Sequence, residues 1–95
     1  MRPAFQWDFH KAAANRRKHG ISFEEAATAF DDPLAVTFPD PDHSENEDRW
    51  IMIGLSAFGR TLVVVHVERG PVIRIISARR ADRRERKEYE EGHPT

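Results

Sequence analysis

The chain contains no cysteine. That excludes disulfide frameworks, thiolate zinc sites and cysteine nucleophiles, and it fits a reducing compartment. Long apolar runs are also missing. Stretches such as Leu62 to Val67 fall far short of the ~20 residues that a membrane-spanning helix needs. The opening Met1-Arg2-Pro3-Ala4-Phe5 has no apolar signal-peptide core, so a cytoplasmic location away from membranes is expected. There is no glycine-rich phosphate loop, no G-x-S-x-G elbow and no H-E-x-x-H helix. The histidines (His10, His19, His43, His66, His93) do not share metal-ligand spacing. Asp40-x-Asp42-x-Ser44 opens like a calcium loop, but Glu45 stands where the turn needs Gly and Ile51 where the loop needs its closing Glu. It reads as a solvated loop, so neither a metal nor a cofactor is expected.

What is present suits one small domain over residues 1–95, with an ordered core from about residue 5 to residue 91. The net charge of −1 conceals a strong division. Residues 1–21 carry five basic side chains against Asp8 alone. Residues 22–48 carry nine acids and no Lys or Arg. Residues 60–87 carry nine basic side chains against Glu68, Asp82 and Glu85. A basic C-terminal third of this kind points to nucleic acid; the alternative is a solvated helix face with ordinary ion pairing.

Local signals predict an α+β order. Phe5-Gln6-Trp7 reads as a short strand, and Asp8 caps a helix over residues 9–19 that Gly20 stops. Ser22-Phe23-Glu24-Glu25 has the capping-box pattern, and Phe23, Ala26, Ala27 and Phe30 follow helical spacing, which gives an N-terminal helical hairpin. Strands are predicted over Leu34–Phe38, Arg49–Ser56, Thr61–Arg69 and Val72–Arg79, with a mobile acidic loop from Pro39 to Asp48. Asp82-Arg83-Arg84-Glu85 opens a last helix to about Glu91, where Tyr89 reads as a packing residue, and the tail from Gly92 is expected to fray.

Alternation assigns the strand faces. Ile51, Ile53, Leu55, Val63, Val65, Val67, Ile73 and Ile75 form the expected core face. The opposite face carries Trp50, Met52, Leu62, Val64, His66, Glu68, Val72, Arg74 and Ile76. If the last hairpin loop is the three-residue Arg69-Gly70-Pro71, paired residue numbers sum to 140. His66 then faces Arg74, and Glu68 faces Val72, one diagonal step from Arg74. A histidine, a carboxylate and an arginine would cluster there, as a site or as a plain ion pair with a surface histidine. RNA cleavage suits such residue types. The 2′-hydroxyl is an internal nucleophile, Arg binds and neutralises phosphate, and His or a cation-paired Glu moves the proton.

In order along the chain come Phe5-x-Trp7-Asp8-x-x-Lys11, Lys18-His19-Gly20-Ile21-x-Phe23-Glu24-Glu25-Ala26, Asp32-Pro33, Glu47-x-Arg49, Leu62-Val63-Val64-Val65-His66, Arg74-Ile75-Ile76-Ser77-Ala78-Arg79-Arg80 and Glu85-Arg86. With these segments the chain resembles the BrnT toxins, a branch of the RelE-like toxins. The resemblance implies a RelE-like, mostly antiparallel sheet with the helical hairpin and a C-terminal helix. It also implies a type II toxin that inhibits translation by cleaving RNA, a BrnA-like ribbon-helix-helix antitoxin as partner, and operator DNA contacted through that antitoxin. Lys18, His19, Arg49, His66, Arg74 and Arg79 are the matching positions. The expected site sets Arg49, Arg74 and Arg79 on the scissile phosphate. His66, tuned by Glu68, would transfer the proton, and Lys18, His19 and Arg80 would hold RNA. The rival reading is a non-catalytic nucleic-acid- or protein-binding module acting only as antitoxin partner and co-repressor.

Overall fold

The computed structural model describes residues 3–42 and 48–92. The elements run β1 (Ala4–Gln6), α1 (Phe9–His19), α2 (Phe23–Thr28) with a 3-10 turn at Ala29–Asp31, β2 (Val36–Pro39), β3 (Arg49–Leu55), β4 (Thr61–Arg69), β5 (Val72–Arg80) and α3 (Arg83–Glu91). Among the described residues the strands form one sheet in the order β1-β5-β4-β3-β2. All neighbours are antiparallel except β1, which runs parallel to β5. The α+β class with an N-terminal helical pair and a C-terminal helix is as expected. The expected mobility of the acidic loop and fraying of the tail fall partly on residues 43–47 and 93–95, which lie outside the described residues.

The caps act as their sequences suggest, with one difference. Asp8 accepts the Lys11 N–H at 2.9 Å, and Gly20 ends α1 at φ +71°, donating its N–H to the Arg16 carbonyl at 2.9 Å. Ser22 accepts the Glu25 N–H at 3.0 Å, but Glu25 does not return the bond. Its carboxylate is buried and pairs instead with Arg60 and with the Ser56 hydroxyl at 2.8 Å. The Arg60 guanidinium, then Ser56, hold that carboxyl below the usual Glu range against the opposing effect of burial. At α3 the box is complete: the Asp82 side chain accepts from the Glu85 N–H and the Glu85 side chain from the Asp82 N–H.

Two corrections concern the sheet. The β4–β5 connection has two residues, not three, because Arg69 pairs with Val72. Gly70, at φ +57°, takes the first central position of the turn, and Pro71 takes the second. Paired residues there sum to 141, so His66 faces Ile75 rather than Arg74, and Glu68 faces Ile73 rather than Val72. A bulge follows, since Val65 pairs with Ser77 and leaves Ile76 unmatched.

On β3 and β4 the faces are also exchanged, whereas on β5 Ile75 is buried in the main core as expected. The main core lies on the side of Met52, Leu62, Val64, Ile75 and Ala78, packed under Ile21, Phe23, Ala26 and Ala29, with Phe5, Trp7 and Phe30 at its margin. The face of Ile53 and Val63 makes only a smaller cluster with Ala81, Val36, Ile51 and Tyr89. Both faces are apolar, so alternation alone could not say which one α1 and α2 would cover. Asn15 secures that cover. Its amide donates to the Ala78 carbonyl at 2.8 Å and accepts the Ala78 N–H at 3.1 Å, occupying the edge of β5 beyond the short β1.

Candidate functional site

The register brings three of the expected arginines onto one face. Arg49 pairs with Val67, Val67 with Arg74, and Arg74 with Gln6, so the four form one row across β3, β4, β5 and β1. The next row is Ile51, Val65 and Ser77, and the next Ile53, Val63 and Arg79. Laterally paired residues share a face, and the bulge restores the phase between Arg74 and Ser77. Arg49, Arg74, Ser77 and Arg79 therefore stand on the α3 side of the sheet.

There, α3 and the sheet enclose a groove of about 280 Å³. Ile51, Val63, Val65 and Ser77 line its floor with Arg79 of β5 beside them, Phe38 lines one edge, and Asp82, Arg84, Glu85 and Glu88 line its α3 side. The Arg79 and Glu85 side chains meet as a two-bond pair, Nη1 to Oε1 and Nη2 to Oε2, both at 2.7 Å. The Arg79 guanidinium is the main reason the Glu85 carboxyl is held below the usual Glu range. A cationic row beside an apolar floor is suited to a phosphodiester whose bases rest on the floor.

The other expected site residues lie elsewhere. His66 is fully buried on the opposite face. Its Nε2 lies 3.0 Å from Glu68 Oε2, and its ring meets Phe30 edge-on at 4.9 Å. His66 and Glu68 are thus brought together, but away from Arg74. Arg80 pairs with Leu62, which places it on the main-core face, where its charge acts on Glu25. Lys18 and His19 end α1, which packs on that same face, Lys18 exposed and His19 half-buried. Sequence reasoning missed Ser77 and Glu85 as groove residues. Ser77 was within reach of a correct register, whereas Glu85 reads in the sequence as a helix cap and, with Arg86, as one of the segments that carry the family resemblance. Among the described residues no three His, Asp or Glu side chains gather as a metal-binding group. No helix among them is long and apolar enough to cross a membrane.

Residues 7–85 match the family model described as the ribonuclease toxin BrnT of type II toxin–antitoxin systems. The chain belongs to the BrnT family. Membership makes this a ribonuclease toxin of a type II system, with an antitoxin as partner and RNA as target. The BrnT ribonuclease toxin of Brucella abortus, known from a 1.1 Å crystal structure, is similar to it with a TM-score of 0.67 and 25% identity. That alignment covers 85% of this chain and 99% of the Brucella BrnT chain, so the described fold is a BrnT fold. No curated protein sequence matches the chain.

Proposed function

We propose that this BrnT-family protein is a metal-independent endoribonuclease whose phosphate site is the face of Arg49, Arg74 and Arg79. The observation that carries the reading is that the register sets these three cations on one sheet face, the face that carries the groove under α3, which Arg79 lines. In the proposed reaction the 2′-oxygen attacks the adjacent phosphorus and the bond to the 5′-oxygen breaks. The 2′-hydroxyl loses a proton and the 5′-oxygen gains one, which leaves a 2′,3′-cyclic phosphate and a 5′-hydroxyl. The arginines bind the phosphate and stabilise the charge that builds on the phosphorane, a role in which a metal ion would otherwise serve. His66 is on the far face and has no part in this reading. The antitoxin is proposed to be BrnA-like, with operator DNA contacted through it, and the pair to act in the cytoplasm.

The test is cleavage of naked RNA by purified, antitoxin-free protein in EDTA, beside an Arg74→Ala variant. Wild-type cleavage is expected to survive chelation and to fall about 100-fold in the variant, the scale of losing one charge-stabilising group. Equal cleavage by both would remove Arg74 from the site. Steeply salt-dependent RNA binding with the RNA left intact would favour the non-catalytic module instead.

A further inference from the structure

Arg79 faces a carboxylate before any RNA arrives. A guanidinium carries five N–H groups arranged as forks. Glu85 occupies the end fork, formed by Nη1 and Nη2, at 2.7 Å on both sides. Nη1 also lies 3.4 Å from the Arg80 carbonyl. Among the described residues the side fork, formed by Nε and the second Nη2 proton, meets no acceptor. Glu85 is itself anchored: Oε1 also accepts the Asp82 N–H at 2.9 Å, and the Glu85 N–H donates to Asp82 Oδ1 at 2.8 Å. The carboxylate is tied to the first turn of α3, and both partners line the groove.

We infer that Glu85 is a positioning residue for RNA cleavage: by gripping the end fork of Arg79 it holds the guanidinium so that the side fork presents two parallel donors to the scissile phosphate. This rests on the reading of the groove as the RNA site. A long, flexible side chain binds a phosphate in two-point geometry far better when one fork is already fixed. Glu85 offsets the charge of Arg79, so Arg79 contributes direction more than positive potential. The strong pairing keeps Glu85 ionised through the neutral range, which suits a clamp and not a group that must pick up a proton.

The deciding experiment is a double-mutant cycle on kcat/KM for RNA cleavage with Arg79→Ala, Glu85→Gln and the double variant. Gln keeps an oxygen for the Asp82 N–H, so α3 retains its cap, and circular dichroism melting checks this. Glu85→Gln is expected to lose about tenfold or more while Arg79 is present, and nothing further in the Arg79→Ala background. Equal losses in both backgrounds would overturn the proposal, since Glu85 would then act as a cap or through chemistry of its own. Full activity in Arg79→Ala would overturn it and leave the ribonuclease reading standing. A second readout is the Arg79 Nε–H nuclear magnetic resonance signal during titration with a 2′-O-methyl oligonucleotide, which cannot be cleaved. The signal is expected to shift in wild type and to stay put in Glu85→Gln at the same concentration. A wild-type protein that neither cleaves nor shifts this signal would sink the groove as an RNA site, and the proposal with it.

Discussion

Between α1, α2 and the sheet, the face of Met52, Leu62, Val64, Ile75 and Ala78 is sealed from solvent. Between α3 and the sheet, the face of Ile51, Val65, Ser77 and Arg79 remains a groove. Both faces are built from the same alternating Val, Ile and Leu. Their covers differ. The first cover brings Ile21, Phe23, Ala26 and Ala29, none of them solvent-exposed. The second, α3, buries none of its own residues and meets the sheet through the packing of Tyr89 and the Glu85–Arg79 pair. An apolar strand face thus becomes core or binding floor according to what lies over it, and here the helix rich in charge leaves the floor open to a ligand.

The strongest way to break this comparison is to remove a large side chain from each side. Phe23 is fully buried and meets Trp7 edge-on at 5.9 Å. Phe23→Ala is expected to cost about 3–5 kcal/mol in urea unfolding, a large fraction of the ~5–15 kcal/mol that holds a domain folded. Val65→Ala, on the half-open groove floor, is expected to cost about 1 kcal/mol, because little cavity is created where solvent already reaches. Equal costs would mean that the groove is as tightly packed as the core.

Much of this arrangement was legible in the residues. Asp8, Gly20, Ser22 and Asp82 marked helix ends that the structure places within a residue or so, because capping is local chemistry. Strands were legible as β-branched runs between turn residues. The choice of face was not, since Met52 and Leu62 are as apolar as Ile53 and Val63. The grouping of His66 with Arg74 failed on a single residue of loop length, the ambiguity that a period-two pattern cannot resolve. Arg74 and Arg79, five residues apart, would point to opposite faces by simple alternation; the bulge at Ile76 brings them to the face of Arg49, and nothing in the period-two pattern marks that bulge. The pairing of Arg79 with Glu85 depends on how α3 turns back over β5, and no periodicity within either element encodes that.

Tyr89 tests the anchoring of the thinner cover. Its hydroxyl donates to Asp32 Oδ2 at 2.6 Å, and the Asp32 carboxylate also accepts the Leu34 and Leu55 N–H groups at 2.9 Å. Burial, then Asp32, pushes the phenol up to about 12. The fold favours the neutral phenol, so this contribution is complete below the unfolded value near 10 and fades as pH rises through about 12. Tyr89 is the chain's single tyrosine, so the ultraviolet absorbance of its phenolate reports the titration directly. An ordinary midpoint near 10 would show that α3 is not held at this end. Tyr89→Phe is expected to cost about 1 kcal/mol.

The smallest expected effect is at His66, where the two faces are most easily confused. The ring is fully buried beside Phe30, and among the described residues Nδ1 has no hydrogen-bond partner. Its polar contact among the described residues, Glu68, has a side chain that is 47% exposed, so that carboxylate can return to water if the imidazole is removed. His66→Leu replaces a buried polar ring, half unsatisfied, with an aliphatic side chain of similar volume. Stability is expected to change by less than about 1 kcal/mol, in either direction. Cleavage by His66→Leu is expected to match wild type while Arg74→Ala fails, because the sheet itself separates His66 from the arginine row. Loss of cleavage in His66→Leu with unchanged unfolding would place catalysis on the sealed face and reverse the assignment of the two sides.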